Sequence, residues 1–215
     1  MNRLTLSIAG PQNIEMPSSE SGSLRERKHD FVRRVLEESA MDLFVECGFE
    51  NVTIEDIGRH AGVSRRTYFR YFKTKEDAIA SSMRNFGTII LERFRAQDDV
   101  KEPLAALEAA FASIGVECIE NNPRAHRMIE LVFEVPQIRG TVLYESSLWV
   151  PYLTRELQRR KAFGGDTARC ELAACLSLAA FDQAKRRWQR NPQRRFASHL
   201  RTTFRQMRQL DCPKC

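Results

Sequence analysis

Histidine is scarce in this chain: four residues, His29, His60, His126 and His199, scattered along 215 positions. No HExxH, no GxSxG and no glycine-rich phosphate loop is present, and no Cys stands at a useful spacing from a His. The usual sequence signatures of zinc hydrolysis, acyl transfer and nucleotide binding are therefore missing. The expectation is a protein that is not an enzyme, with no cofactor and no metal site. Long apolar runs are missing too, none approaching the roughly 18 residues a membrane helix needs. The opening MNRLTLSIAG has one Arg and too short an apolar stretch for a secretory signal. The expected location is cytoplasmic, with no membrane partner. There are no internal repeats and no strand-like alternation longer than four residues, which points to an all-α fold. Six cysteines are present. Cys47, Cys118 and Cys175 fall in apolar helical patterns and read as small hydrophobes. Cys212 and Cys215 form a single CxxC pair at the extreme end, which reads as a frayed tail without function, the alternative being a redox pair or a metal site shared between subunits.

What is present is ordinary in amount and unusual in arrangement. Charged residues make up 29% and hydrophobic ones 42%, a common balance for a globular chain. The net charge is +6, but residues 1–80 hold 12 Lys/Arg against 13 Asp/Glu, whereas residues 155–208 hold 14 against 4. Within the balanced N-terminal part, the stretch from Arg59 to Lys75 has six basic residues and no acid.

That basic stretch lies inside a capped two-helix pattern, TIEDIGRHAGVSRRTYFRYFKTK, Thr53–Lys75. Thr53 is a good N-cap, and Glu55 and Asp56 occupy a first turn where the helix dipole favours negative charge. Ile54, Ile57 and Ala61 share one helical face. Gly62 supplies the left-handed residue that stops the helix. Ser64 then caps a second helix beginning at Arg65. Two short helices joined by such a turn, the second of them basic at its start, form the helix-turn-helix pattern, whose second helix enters the DNA major groove.

The residues Thr53-Ile54-x-x-Ile57-Gly58-x-x-Ala61-Gly62-Val63-Ser64-x-x-Thr67-Tyr68-Phe69-Arg70-Tyr71-Phe72-x-x-Lys75-Glu76 resemble the TetR family of bacterial transcriptional regulators over about residues 28–80. The resemblance implies an all-helical homodimer with a small DNA-binding head on a larger ligand-binding body. The positions it assigns to DNA are Thr53, Ile54, Glu55, Ser64, Arg65, Arg66, Thr67, Phe69, Tyr71, Lys73 and Lys75. Lys75 matches a phosphate-contacting position, and Tyr68 an inward one. Many members carry Tyr where this chain has Phe69, so a phosphate bond from that hydroxyl is lost here.

Helical periodicity divides the chain into about nine helices. Residues 1–22, with Gly, Pro and Ser and no periodicity, read as a disordered arm; 23–75 form the head, 76–210 the body and 211–215 a tail. The first helix spans about Arg25–Cys47 and stops at Gly48. The fourth, capped by Thr74, runs from the head into the body to about Ala96. The fifth carries Leu104 to Cys118 and breaks at Asn121-Asn122-Pro123. A short sixth is followed by a seventh over about Gln137–Lys161, kinked at Pro151. The eighth, capped by Asp166, runs to about Arg190, and the ninth starts at Asn191-Pro192.

The resemblance assigns the eighth and ninth helices to a homodimer, packed on their two-fold mates as a four-helix bundle. Two recognition helices about 34–36 Å apart then meet successive major grooves of a palindromic double-stranded operator. Candidate cavity residues are Phe86, Ile90, Phe111, Met128, Phe133, Trp149, Tyr152 and Phe181, which favour a small, mainly apolar effector. The run AFDQAKRRW, with Pro136 and the Arg-rich end, resembles a subgroup thought to sense acyl-coenzyme A thioesters. The function implied is a repressor released from DNA by its ligand. The alternative is a constitutive dimeric DNA binder with a sealed body and no ligand.

Overall fold

The computed structural model describes residues 23–97 and 102–209, and all structural statements refer to these. The expected arm, the Asp98–Asp99 connection and the Cys212–Cys215 pair lie outside the described residues. The described chain is helical, without a strand: α1 (Leu24–Cys47), α2 (Ile54–His60), α3 (Arg65–Tyr71), α4 (Lys75–Arg95), α5 (Pro103–Ile114), α6 (Ala125–Glu134), α7 (Pro136–Ser147), α8 (Val150–Arg159), α9 (Thr167–Arg190) and α10 (Phe196–Gln209). None is long and apolar enough to cross a membrane.

Local signals set most helix starts. Ser23 and Glu26 form a reciprocal capping box at α1, Thr53 and Asp56 at α2, and Thr74 and Asp77 at α4. Each satisfies amides that have no helical partner. Gly62, with φ of +68°, ends the α2 segment as its sequence position requires. The segment expected to be one kinked helix over 137–161 is two. α7 ends at Ser147, and α8 opens with Pro151 in its first turn, where the missing N–H costs nothing. α5 runs into a π-helical turn over Gly115–Glu120 before the expected break. Asn191-Pro192 lies in a connection, and α10 starts four residues later, at Phe196. The cysteines depart from expectation: Cys47 and Cys175 are exposed, whereas Cys170 is fully buried.

Two apolar clusters result. The first gathers Leu36, Phe44, Phe49, Ile57, Tyr68 and Phe72 of the N-terminal helices and continues into Leu131, Val132, Ile138 and Val142 of α6 and α7. Tyr68 is wholly buried, donates from its hydroxyl to the Thr74 carbonyl at 2.8 Å, and is pushed well above the usual phenol range by that burial. The second cluster joins α4, α5, α8, α9 and α10 around Phe94, Phe111, Phe181 and Phe204.

α4 belongs to both clusters, through Ala78 and Ile79 at one end and Ile90, Leu91 and Phe94 at the other. Polar ties reinforce it. Buried Glu37 of α1 accepts from Ser81 (2.5 Å) and Asn85 (3.0 Å). Arg84 pairs with buried Glu145 of α7 at 2.9 Å. Arg160 donates to the carbonyls of Phe94, Arg95 (3.2 Å) and Gln97 (3.0 Å), closing the end of α4 with a positive charge where the dipole favours one.

A close approach is made at Gly87. A Cβ there would fall 2.3 Å from Nε1 of Trp149, so only glycine lets the indole lie on α4. Gly87→Ala is expected to force the indole outward and cost about 1–3 kcal/mol, as overpacking does. Urea unfolding and a shift in tryptophan emission will check it; unchanged stability would contradict this packing.

Candidate nucleic-acid interface and body cavity

The outer face of the head is built from the α2–α3 turn. Ser64 caps α3 by accepting from the Thr67 amide at 3.1 Å, and its hydroxyl lies 3.0 Å from that of Thr67. This fixes the first turn of α3, from which Arg65 and Arg66 emerge exposed. Arg65 pairs with Glu55 of α2 at 2.8 Å and stands 5.3 Å from the ring centroid of Phe69. Phe69 is 43% exposed, so an aromatic ring and a guanidinium share one open surface. No ion pair among the described residues ties down Arg66, Arg70 or Lys73. Thr53 is held in its capping box, where Asp56 is kept below the usual carboxylate range by the Thr53 hydroxyl and amide.

Three of the expected positions are engaged within the head. Ile54 is half-buried against its core. Tyr71 stacks on His29 of α1 with centroids 4.6 Å apart, and its hydroxyl accepts from Arg70 at 3.2 Å. Lys75 donates to the carbonyls of Phe49 (2.5 Å) and Val52 (3.3 Å), with its ammonium 4.0 Å from the Phe49 ring centroid. Its charge therefore fastens the turn after α1 to the start of α4. Spacing alone does not reveal this, because the partners are carbonyls 23 and 26 residues away.

The body contains a cavity of about 540 Å³ walled by α4, α6, α7, α8, α9 and the π-helical turn. Phe86, Met128, Trp149 and Phe181 line it, as does Met83. Ile90, Phe111, Phe133 and Tyr152 do not. Ile90 and Phe111 are fully buried in the core behind the wall, Phe111 with its ring 5.0 Å from that of Phe181. Phe133 lies beneath two guanidinium groups, those of Arg139 (4.8 Å) and Arg186 (4.2 Å). Tyr152 packs on the second cluster. Missed from sequence were Asp182 and Lys185, which give the cavity its charged end. The signal was present in AFDQAKRRW, where an acid and a base stand three apart on an otherwise apolar helix face.

At that end Arg139 grips Asp182 with two bonds, 2.7 and 2.8 Å. Lys185 lies 3.4 Å and Arg186 3.6 Å from the same carboxylate. Burial raises the Asp182 carboxyl, but the Arg139 bonds and the three cations more than offset it and hold it below the usual range. Burial pushes the Lys185 ammonium down.

Lys75→Met is expected to lose two charged hydrogen bonds and about 1.5–3 kcal/mol of stability. Thermal unfolding checks this; a loss of DNA binding with stability intact would instead assign the ammonium to phosphate.

Comparison with known proteins agrees with the head. Residues 37–80 match the model for bacterial regulatory proteins of the tetR family. The chain is 31% identical over 91 residues to the HTH-type transcriptional regulator TcmR of Streptomyces glaucescens, covering 42% of this chain and 40% of that one. It is 26% identical over 131 residues to the putative mycofactocin biosynthesis transcriptional regulator MftR of Mycobacterium tuberculosis, covering 60% and 64%. The chain thus spans less than two thirds of either curated relative. In fold it is similar to Thermus thermophilus FadR, a TetR family transcriptional repressor in complex with lauroyl-CoA, with a TM-score of 0.58 and 21% identity over 85% of this chain and 96% of that one. The capped helix-turn-helix thus lies within the stretch, residues 37–80, that matches the model for bacterial regulatory proteins of the tetR family.

Proposed function

We propose that this protein is a transcriptional repressor that binds a palindromic operator as a homodimer and leaves it when a small, mainly apolar molecule fills the body cavity. The observation that carries the reading is the position of α4. One of its ends is tied to α3, where the Tyr68 hydroxyl donates to the Thr74 carbonyl, and the middle presents Met83 and Phe86 to the cavity. A molecule in the cavity acts by favouring one placement of α4 over another, since only differential contact with two states shifts their populations. The open cavity argues against a constitutive binder, whose body would need only to dimerise. The Thermus protein is in complex with lauroyl-CoA, whose long apolar acyl chain is of the kind such an apolar wall accepts.

The dimer surface proposed is the pair α9 and α10, the eighth and ninth helices of the sequence reading. Leu172 (58% exposed) and Leu176 (38%) stand on α9 beside exposed Cys175 and Ala179. An apolar stripe of this kind on a helix surface favours burial against a partner. The double variant Leu172→Glu, Leu176→Glu is expected to sediment as a monomer and to lose operator binding. A dimer that survives both charges would move the interface elsewhere.

On DNA, Arg66 is the base-reading candidate, because it lies in the first turn of α3 and is not committed to Glu55 as Arg65 is. Arg66→Ala is expected to cost about 1–3 kcal/mol at the operator and to relax preference at one base pair. Fluorescence anisotropy on the upstream DNA, in a salt series and against scrambled competitor, tests both claims. Binding of all sequences by the variant as tightly as by the parent would refute the assignment; parent binding that competitor removes would refute operator recognition at that site.

A further inference from the structure

The cavity wall is mainly apolar, yet one end carries charge in a fixed ratio. A single carboxylate, Asp182, faces three cations: Arg139 at 2.7 Å, Lys185 at 3.4 Å and Arg186 at 3.6 Å. Asp182 and Lys185 border the cavity. The Arg139 fork uses both carboxylate oxygens, which leaves Lys185 at a longer distance from Oδ1. Its side chain is only 14% exposed, so water does little to stabilise its charge. Phe181 provides the neighbouring surface, with its ring centroid 5.4 Å from the ammonium. Both guanidinium groups are spread over the Phe133 ring, which holds them in place. The result is a local excess of two positive charges beside an apolar space, with the Lys185 ammonium sharing its one carboxylate with two guanidinium groups.

Partly buried like charges repel strongly, and an anion brought among them offsets that cost. We propose that the cavity binds an apolar molecule ending in a free carboxylate, with the carboxylate on Lys185 and the apolar part between Phe86, Met128, Trp149 and Phe181. This rests on the reading of the cavity as the effector site and narrows it from apolar molecules in general to amphipathic organic acids. The carboxylate must be free: in a thioester or an ester the same carbon carries a neutral carbonyl, which cannot balance the excess charge. Asp182 has two parts in this arrangement. It holds Arg139 and Lys185 in place, and it also competes with the incoming carboxylate for both.

Loss of the Lys185 ammonium and loss of the competing Asp182 charge are expected to act in opposite directions. Calorimetric titration with decanoate, decan-1-ol and decanoyl-coenzyme A separates the charge from the chain. The parent is expected to bind decanoate about tenfold or more tightly than the alcohol, the scale of one charged hydrogen bond. Lys185→Met, which keeps the length of the side chain, should bring decanoate down to the level of the alcohol and leave the alcohol unchanged. Asp182→Asn should tighten decanoate, a gain that a folding defect does not produce. Equal binding of acid and alcohol by the parent, or equal losses for both in Lys185→Met, overturns the carboxylate site and leaves an apolar effector cavity intact. Binding of decanoyl-coenzyme A alone also overturns it, by placing the negative charge on the nucleotide part. Binding of none of the three overturns both the carboxylate site and the effector reading of the cavity.

Discussion

The structure depends on one close approach, the indole of Trp149 against the bare backbone of α4 at Gly87. α4, like α6, belongs to both apolar clusters, and Trp149 is a wall of the cavity. Where helices interdigitate through long side chains, a small displacement is absorbed by rotamer changes. A ring lying on a glycine has no such slack, because close-packed atoms transmit displacement instead of absorbing it. Displacement of Trp149 would press directly on α4, whose start is bonded to α3 through Tyr68 and the Thr74 carbonyl.

The other ties on α4 decide how that motion is shared. At the head end, Glu37 accepts from Ser81 and Asn85, and Lys75 is bound to two carbonyls of the turn after α1. These hydrogen bonds bind α4 to the head, so the two turn together. At the far end Arg160 holds the last carbonyls of α4 to the end of α8, the helix that follows Trp149. The weaker section lies between them, where Arg84 pairs with Glu145 while half exposed. Burial raises the Glu145 carboxyl, and Arg84 opposes that rise. A helix anchored at both ends and pressed in its middle changes angle more easily than it slides.

The parts legible in the sequence were those fixed within a few residues. The caps Thr53, Ser64 and Thr74 and the stops at Gly48 and Gly62 all act over one turn, so spacing alone identified them. The split of α7 from α8 was half legible: Pro151 announced a disturbance, but the choice between a kink and a break depended on how α8 packs on α9. The cavity wall was least legible. Phe111 and Phe181 have the same helical setting in sequence, yet one is core and the other lines the space, because neighbouring helices decide which ring is covered. Phe133 was drawn away from the wall by Arg139 and Arg186, a long-range partnership that an apolar pattern does not encode.

Charge follows the same division. In the head, Arg65 is balanced by Glu55 and Arg66 is left exposed, so the pair differs in readiness to meet a polyanion although the two are adjacent in sequence. In the body, much of the basic excess sits on α9 and α10, and most of it is solvated surface. A small part, Lys185 with Arg139 and Arg186, is turned around one carboxylate at the cavity. Lys185 and Arg139, 14% and 19% exposed, cost the fold desolvation that a surface placement would have avoided. Core packing gives no return for that cost, since an apolar residue at 185 would fill the same space without it. Its natural return is an anion that enters and leaves, and the cavity beside Lys185 is the place where one fits.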